Sequence, residues 1–207
     1  MNWKEDASYL RSTRHYILLS ITLFLAATAL GVVISIRNPE LAAATVGEVP
    51  RTTAGLWSLS PGKTMLAIFI NNLFASAMAL LLGVGFGIVP FIVVMVNGFM
   101  VGIVAHQLIL AGGIGFVIVA ILPHGIIELP TILVCIGVGF RLGHLMIKAL
   151  MGMVADLEGE LRSALHLLRW VVLLLLIAAA IETFITPDLI QPFIQLTPDL
   201  QPPLATK

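Results

Sequence analysis

Ile121-Leu122-Pro123-His124-Gly125-Ile126-Ile127-Glu128-Leu129-Pro130 sets a histidine, an acid, a glycine and two prolines inside an otherwise apolar run. Proline removes a backbone donor and clashes with the preceding turn, and glycine tolerates positive φ. A helix entering from Gly115 is therefore expected to break at Pro123-His124-Gly125 and restart near Ile126. In lipid, broken backbone survives only where protein or a water-filled cavity satisfies the freed groups. Polar side chains at that depth are costly and mark a functional-site hypothesis.

Composition sets the surroundings of that run. The chain has 207 residues, of which 59% are hydrophobic and only 11% charged. A water-soluble domain carries about a quarter charged residues. Several runs reach the roughly 20 apolar residues a helix needs to cross a bilayer. The expected fold is all-α: a polytopic transmembrane bundle of about five spans. A formal net charge of zero gives no reason to expect nucleic acid. The lone Cys135 excludes an internal disulfide and a multi-cysteine metal site.

In order, residues 1–15 read as a polar cytoplasmic tail and 16–36 as the first span. A signal peptide ending near Ala42-Ala43-Ala44 is the rival reading of this region. The apolar stretch exceeds a signal-peptide core of about 7–15 residues, which favours a retained anchor. Residues 37–63 form an external loop, with a short helix from Leu41 to Val46 and an interfacial anchor at Leu56-Trp57. Residues 64–187 form the transmembrane core. Within it, Thr64–Gly83 and Phe91–Ala111 are spans, joined by the tight turn Gly83–Pro90. Gly112-Gly113 turns the chain again, and Gly115 to Gly139 crosses as two half-helices. Residues 148–166 have helical spacing, with Leu157, Leu161 and Leu165 on one face, and are expected to lie on the cytoplasmic membrane surface. Leu167–Ile185 is the last span, and 188–207 a proline-rich, extended tail.

Lys4, Arg11 and Arg14 in the first tail, and Arg141, Lys148, Arg162 and Arg169 near the fourth connection, belong in the cytoplasm by the positive-inside rule. A plasma-membrane protein with a cytoplasmic N-terminus and an external C-terminus follows. Leu82-Gly83-Val84-Gly85-Phe86 echoes Ile136-Gly137-Val138-Gly139-Phe140, the trace expected of a parallel two-helix repeat.

The candidate intramembrane polar site comprises Asn71, Asn72, Asn97, His106, His124, Glu128 and Glu182, with Gln107 beside His106. His124 and Glu128 are four apart, which is one-face spacing on a helix. They could share or relay a proton. The plainer alternative is that Glu128 caps a restarted half-helix. Asparagines in membranes commonly serve as interhelical glue, His106 could face the external interface, and Arg141 could snorkel to the headgroups. Only two metal ligands are evident, with no third, so neither a metal nor a cofactor is expected. Metalloprotease, serine-hydrolase and nucleotide-binding motifs are missing, so no catalytic residue is expected and the chain reads as a non-enzyme.

Ile70-Asn71-Asn72-Leu73, Leu82-Gly83, Val96-Asn97-Gly98, Leu122-Pro123-His124-Gly125-Ile126-Ile127-Glu128-Leu129 and Ala180-Ile181-Glu182-Thr183-Phe184-Ile185-Thr186-Pro187 occur in an order that resembles the stage II sporulation protein M family. The resemblance runs from Leu56 to Pro187 and rests most on Pro-His-Gly-x-x-Glu. It implies a multi-span membrane protein. The family's sporulation member is a membrane scaffold that works with wall-degrading partners, and nothing in this chain resembles a wall hydrolase. The expected function is a non-catalytic membrane scaffold or assembly factor, with membrane lipids, other envelope proteins or a second copy as partners. The alternative is a small-solute or ion transporter or channel using the mid-membrane polar site.

Overall fold

The structure, a computed structural model, describes residues 3–45 and 60–196. The Leu56-Trp57 anchor and most of the loop before it lie outside the described residues. Among those described there is no strand. Helix α1 is Trp3–Arg37, α2 Pro61–Leu81, α3 Ile88–Leu150, α4 Leu157–Phe184 and α5 Thr186–Leu196. Residues 39–45 are also helical, as the alanine run suggests. Among the described residues four helices are long and apolar enough to cross a membrane. The all-α bundle follows, and its outward faces carry large apolar side chains such as Leu25, Phe74, Leu110, Ile126 and Leu173.

Helix α3 spans 63 residues, about 95 Å if straight, far beyond a hydrocarbon core of about 30 Å. It is two helices meeting at Gly113, whose φ of 75° and ψ of −176° are non-helical. Only glycine takes that conformation without a Cβ penalty. The contacts with α1 fix the direction of each half. A Cβ on Gly98 would strike the Phe24 carbonyl, and one on Gly102 the Thr28 carbonyl, so residues 88–112 run alongside α1 in the same sense. Arg141 reaches Thr13, and Ser20 donates to the Leu133 carbonyl at 2.8 Å, so residues 114–150 run the opposite way. The chain therefore makes a hairpin at Gly113, and five helical segments alternate in direction.

The expected break at Pro123-His124-Gly125 is not there. Residues 114–150 are helical throughout, with Pro123 and Pro130 inside. Each proline forfeits one backbone bond, at about 3 kcal/mol in an ordinary helix. Opening two or three residues in hydrocarbon would strip several backbone groups at several kcal/mol each. Keeping the helix is cheaper.

Two other expectations are also corrected. Residues 157–166 do not form a separate surface helix; they are the first turns of α4, which continues to Phe184. Asp156 starts it, accepting from the Gly159 amide at 2.8 Å. The tail is not extended from residue 188. Thr186–Leu196 is helical, because Pro187 sits in the first turn, where its missing N–H is no loss.

The turn between α2 and α3 matches the sequence reading. Leu82–Val84 is a 3-10 turn, and Phe86 and Gly87 adopt positive φ. Gly83 lies against the Gly139 backbone, with no room for a side chain on either. The two glycine-rich segments that echo each other in sequence thus meet at one end of the bundle. Its core is a cluster that includes Leu80, Val94, Ile136, Leu142 and Leu175.

Candidate functional site

Three helices bring polar side chains together in one cleft. Glu128 lies 13 residues before Arg141 and 15 after Gly113, about 20 Å from each along the helix. Glu182 lies in the last turn of α4, two residues before its end at Phe184. Asn71 and Asn72 are halfway along α2. Together with Ala67, Ile68 and His124, these residues line a cleft of about 480 Å³. The ligand atoms of His124, Glu128 and Glu182 all lie within 4.8 Å of one another.

The cleft's groups are short of partners. One ring nitrogen of His124, Nδ1, and one carboxylate oxygen of Glu128, Oε2, are buried without a hydrogen bond. Thr183 Oγ1, beside Glu182, is in the same condition. Asn71 Nδ2 has only a long 3.4 Å contact to Asn72 Oδ1. Among the described residues no lysine or arginine lines the cleft. Buried polar groups are ordinarily satisfied, so this grouping calls for something to fill it. It can offer a cation two carboxylates, an imidazole and amide oxygens.

Not every candidate residue takes part. Asn97 donates to its own helix, at 2.8 Å to the Val93 carbonyl. His106 Nδ1 is 2.8 Å from Ser35 Oγ, and Gln107 donates to the same hydroxyl at 3.0 Å, towards the other end of α1. These two form a bridge between α1 and α3, away from the cleft. His106 does not simply face outward. The sequence reading saw no third ligand beside His124 and Glu128; the fold supplies Glu182.

A second polar cluster went unnoticed in the sequence. Glu160, 5% exposed, accepts from the Tyr9 hydroxyl at 2.6 Å and pairs with Arg141 at 2.9 Å. Arg141 does not snorkel freely. It donates to Ser12 and Thr13 and sits over the Tyr9 ring. Nearby, Arg169 and the Trp170 indole both donate to Asp6. These contacts tie α1 to α3 and α4. The available signal was a charge pattern on an amphipathic stretch, which reads as a solvated face.

A helical bundle with four long apolar helices among the described residues and apolar outer faces is an integral membrane protein. The family model described as stage II sporulation protein M matches residues 20–187, and the chain belongs to that family. Over 126 residues it is 30% identical to a curated relative, "Uncharacterized protein MJ0793" of Methanocaldococcus jannaschii, covering 59% of this chain and 71% of the relative. No solved structure matches.

Proposed function

We propose that this chain is a multi-pass carrier for a small cation or cationic solute, not an enzyme. Its binding site is the cleft of Asn71, Asn72, His124, Glu128 and Glu182. One observation carries this reading: acidic and imidazole groups from α3 and α4 converge in one cleft, His124 and Glu128 with buried unpartnered atoms, and among the described residues no basic side chain lines it. Polar groups kept only to join helices would be expected to bond one another. Substrate sites of secondary transporters commonly lie near the membrane midplane.

In this reading the chain crosses the plasma membrane five times. The N-terminal tail and the turn after Leu150 share the cytoplasmic side, and the residues after Phe184 are external. The contacts of Arg141 with Ser12 and Thr13 support the arrangement, because they bring the two basic segments to one end of the bundle.

The test is cation flux in proteoliposomes, wild type against Glu128→Gln. Electrogenic or dye-detected flux that the substitution abolishes is expected. Wild-type vesicles no leakier than empty ones to protons, alkali ions and divalent ions would end the carrier reading.

A scaffold role has a separate observation in its favour. The turn after α3 exposes Leu150, Met151, Met153 and Val154 together. An apolar patch of this kind suits a protein or bilayer contact. Substituting all four by serine should release a co-purifying envelope partner. If no partner accompanies the wild-type protein, the scaffold reading loses this support.

A further inference from the structure

The cleft's chemistry selects among cations. We propose that His124, Glu128 and Glu182 form a binding site for a first-row divalent transition ion of the Zn²⁺ or Mn²⁺ class, with Asn71 or Asn72 supplying a further oxygen. The inference deepens the carrier reading and rests on the same cleft.

Charge is the first argument. Once deprotonated to hold an ion, Glu128 and Glu182 bring two negative charges to a place that, among the described residues, no lysine or arginine lines. Net charge in a low-dielectric interior is expensive, so the occupant that brings the site to zero is favoured. With a neutral imidazole, that occupant is a divalent ion. A monovalent ion leaves one charge uncompensated, and a trivalent ion adds one.

Ligand type is the second. Imidazole suits zinc, iron, nickel and copper, whereas carboxylates and amide oxygens also suit manganese, calcium and magnesium. Magnesium and calcium sites are ordinarily built from oxygen alone. A mixed site of one nitrogen and several oxygens sits with Zn²⁺ and Mn²⁺. Cys135 is fully buried and does not line the cleft, so no thiolate draws the preference towards softer ions.

Geometry is the third. Metal–ligand bonds near 2.1 Å in a tetrahedron set ligand atoms about 3.4 Å apart. The three ligand atoms lie within 4.8 Å of one another, so rotamer adjustments of little more than an ångström close the site. His124 and Glu128 are one helical turn apart on α3, and Glu182 comes from α4. An ion would thus clamp two helices that otherwise meet here through unpaired polar atoms. The unpartnered Nδ1 of His124 and Oε2 of Glu128 are an independent sign that donors are available.

The full chain, purified with a tag that contains no histidine and stripped with a chelator, would be titrated with Zn²⁺ by calorimetry and with Co²⁺ by visible absorption. One ion per chain is expected, with d–d bands typical of four or five nitrogen and oxygen ligands. His124→Asn, Glu128→Gln and Glu182→Gln should each weaken binding about 100-fold or more. His166→Asn, far along α4, should bind as wild type. Thermal melts separate lost binding from lost fold: folded variants melt cooperatively, and only wild type is raised by Zn²⁺. Wild type that binds no ion stoichiometrically overturns the proposal, as does binding untouched by all three substitutions. Flux without transition-ion binding also overturns it while leaving the carrier reading intact. Binding without flux upholds the metal site and removes the carrier.

Discussion

Glu160 and Glu128 are two glutamates of one helix bundle, and their surroundings differ in kind. Both oxygens of Glu160 are used, one by the Tyr9 hydroxyl and the other by Arg141. The Glu128 Oε2 has no partner, and the acid beside it is another glutamate, Glu182. A buried carboxylate that is paired holds helices in register; one left unpaired lowers stability unless a ligand completes it. The first kind belongs to the architecture. The second is what a binding site looks like before its ligand arrives.

Substitution should separate the two most clearly at Glu160. Glu160→Ala removes the partner of Arg141 and of the Tyr9 hydroxyl together. The Arg141 side chain is 22% exposed, so water relieves part of the loss. A destabilisation of about 3 kcal/mol is expected, read as a lower denaturant midpoint in detergent. Glu160→Gln keeps an acceptor for Tyr9 and should cost less. If Glu160→Ala melts like wild type, the paired cluster is not structural and the contrast with Glu128 collapses.

The next effect in size tests the frame between the two clusters. Gly139 lies on α3 between Glu128 and Arg141, and a Cβ there would come within 2.1 Å of the Ala79 carbonyl. Gly139→Ala must push α2 from α3, at a cost of about 2 kcal/mol. Because Asn71 and Asn72 stand on α2, the same change should widen the cleft and weaken whatever binds there. Loss of stability with ligand binding intact would mean that the two regions are mechanically independent.

These expectations depend on features that were unequally legible in the sequence. Hydropathy and the glycine turns were enough for the all-α bundle, five helical segments and the reversals at Gly83–Gly87 and Gly113. Pro123 misled, because helix-breaking power is calibrated in water. In lipid the cost of opening the backbone exceeds the cost of one lost bond. Glu182 was singled out by its own polarity, but its meeting with His124 and Glu128 spans over fifty residues of chain, and helical period reports a face and not its partner. Asn97 satisfies itself on its own helix, which composition cannot distinguish from an amide awaiting a ligand. Arg141 reads as a snorkelling charge because pairing across helices leaves no local trace.

A smaller effect, of opposite sign, is expected at Glu128 itself. Glu128→Gln removes a carboxyl whose Oε2 has no partner and keeps the shape. The apo protein should be as stable as wild type or gain about 1 kcal/mol, measured by denaturation in detergent after chelation. The ligand-dependent rise in melting temperature should disappear. A destabilisation comparable with that of Glu160→Ala would mean that Glu128 has a structural partner, and the two glutamates would be of one kind.

The smallest effect separates the asparagines. Asn97 donates only to Val93 one turn back on its own helix, whereas Asn72 faces the cleft. Asn97→Ala should change stability by no more than about 0.6 kcal/mol and leave ligand affinity alone. Asn72→Ala should be similarly mild in the apo protein, because that amide has no strong bond to lose. It should nonetheless weaken binding several-fold, since an oxygen donor goes from the site. The pair therefore asks whether affinity follows the cleft or follows polarity in general. Equal losses of affinity at Asn97 and Asn72 would mean that binding responds to the bundle as a whole, and the cleft would lose its claim to be the site.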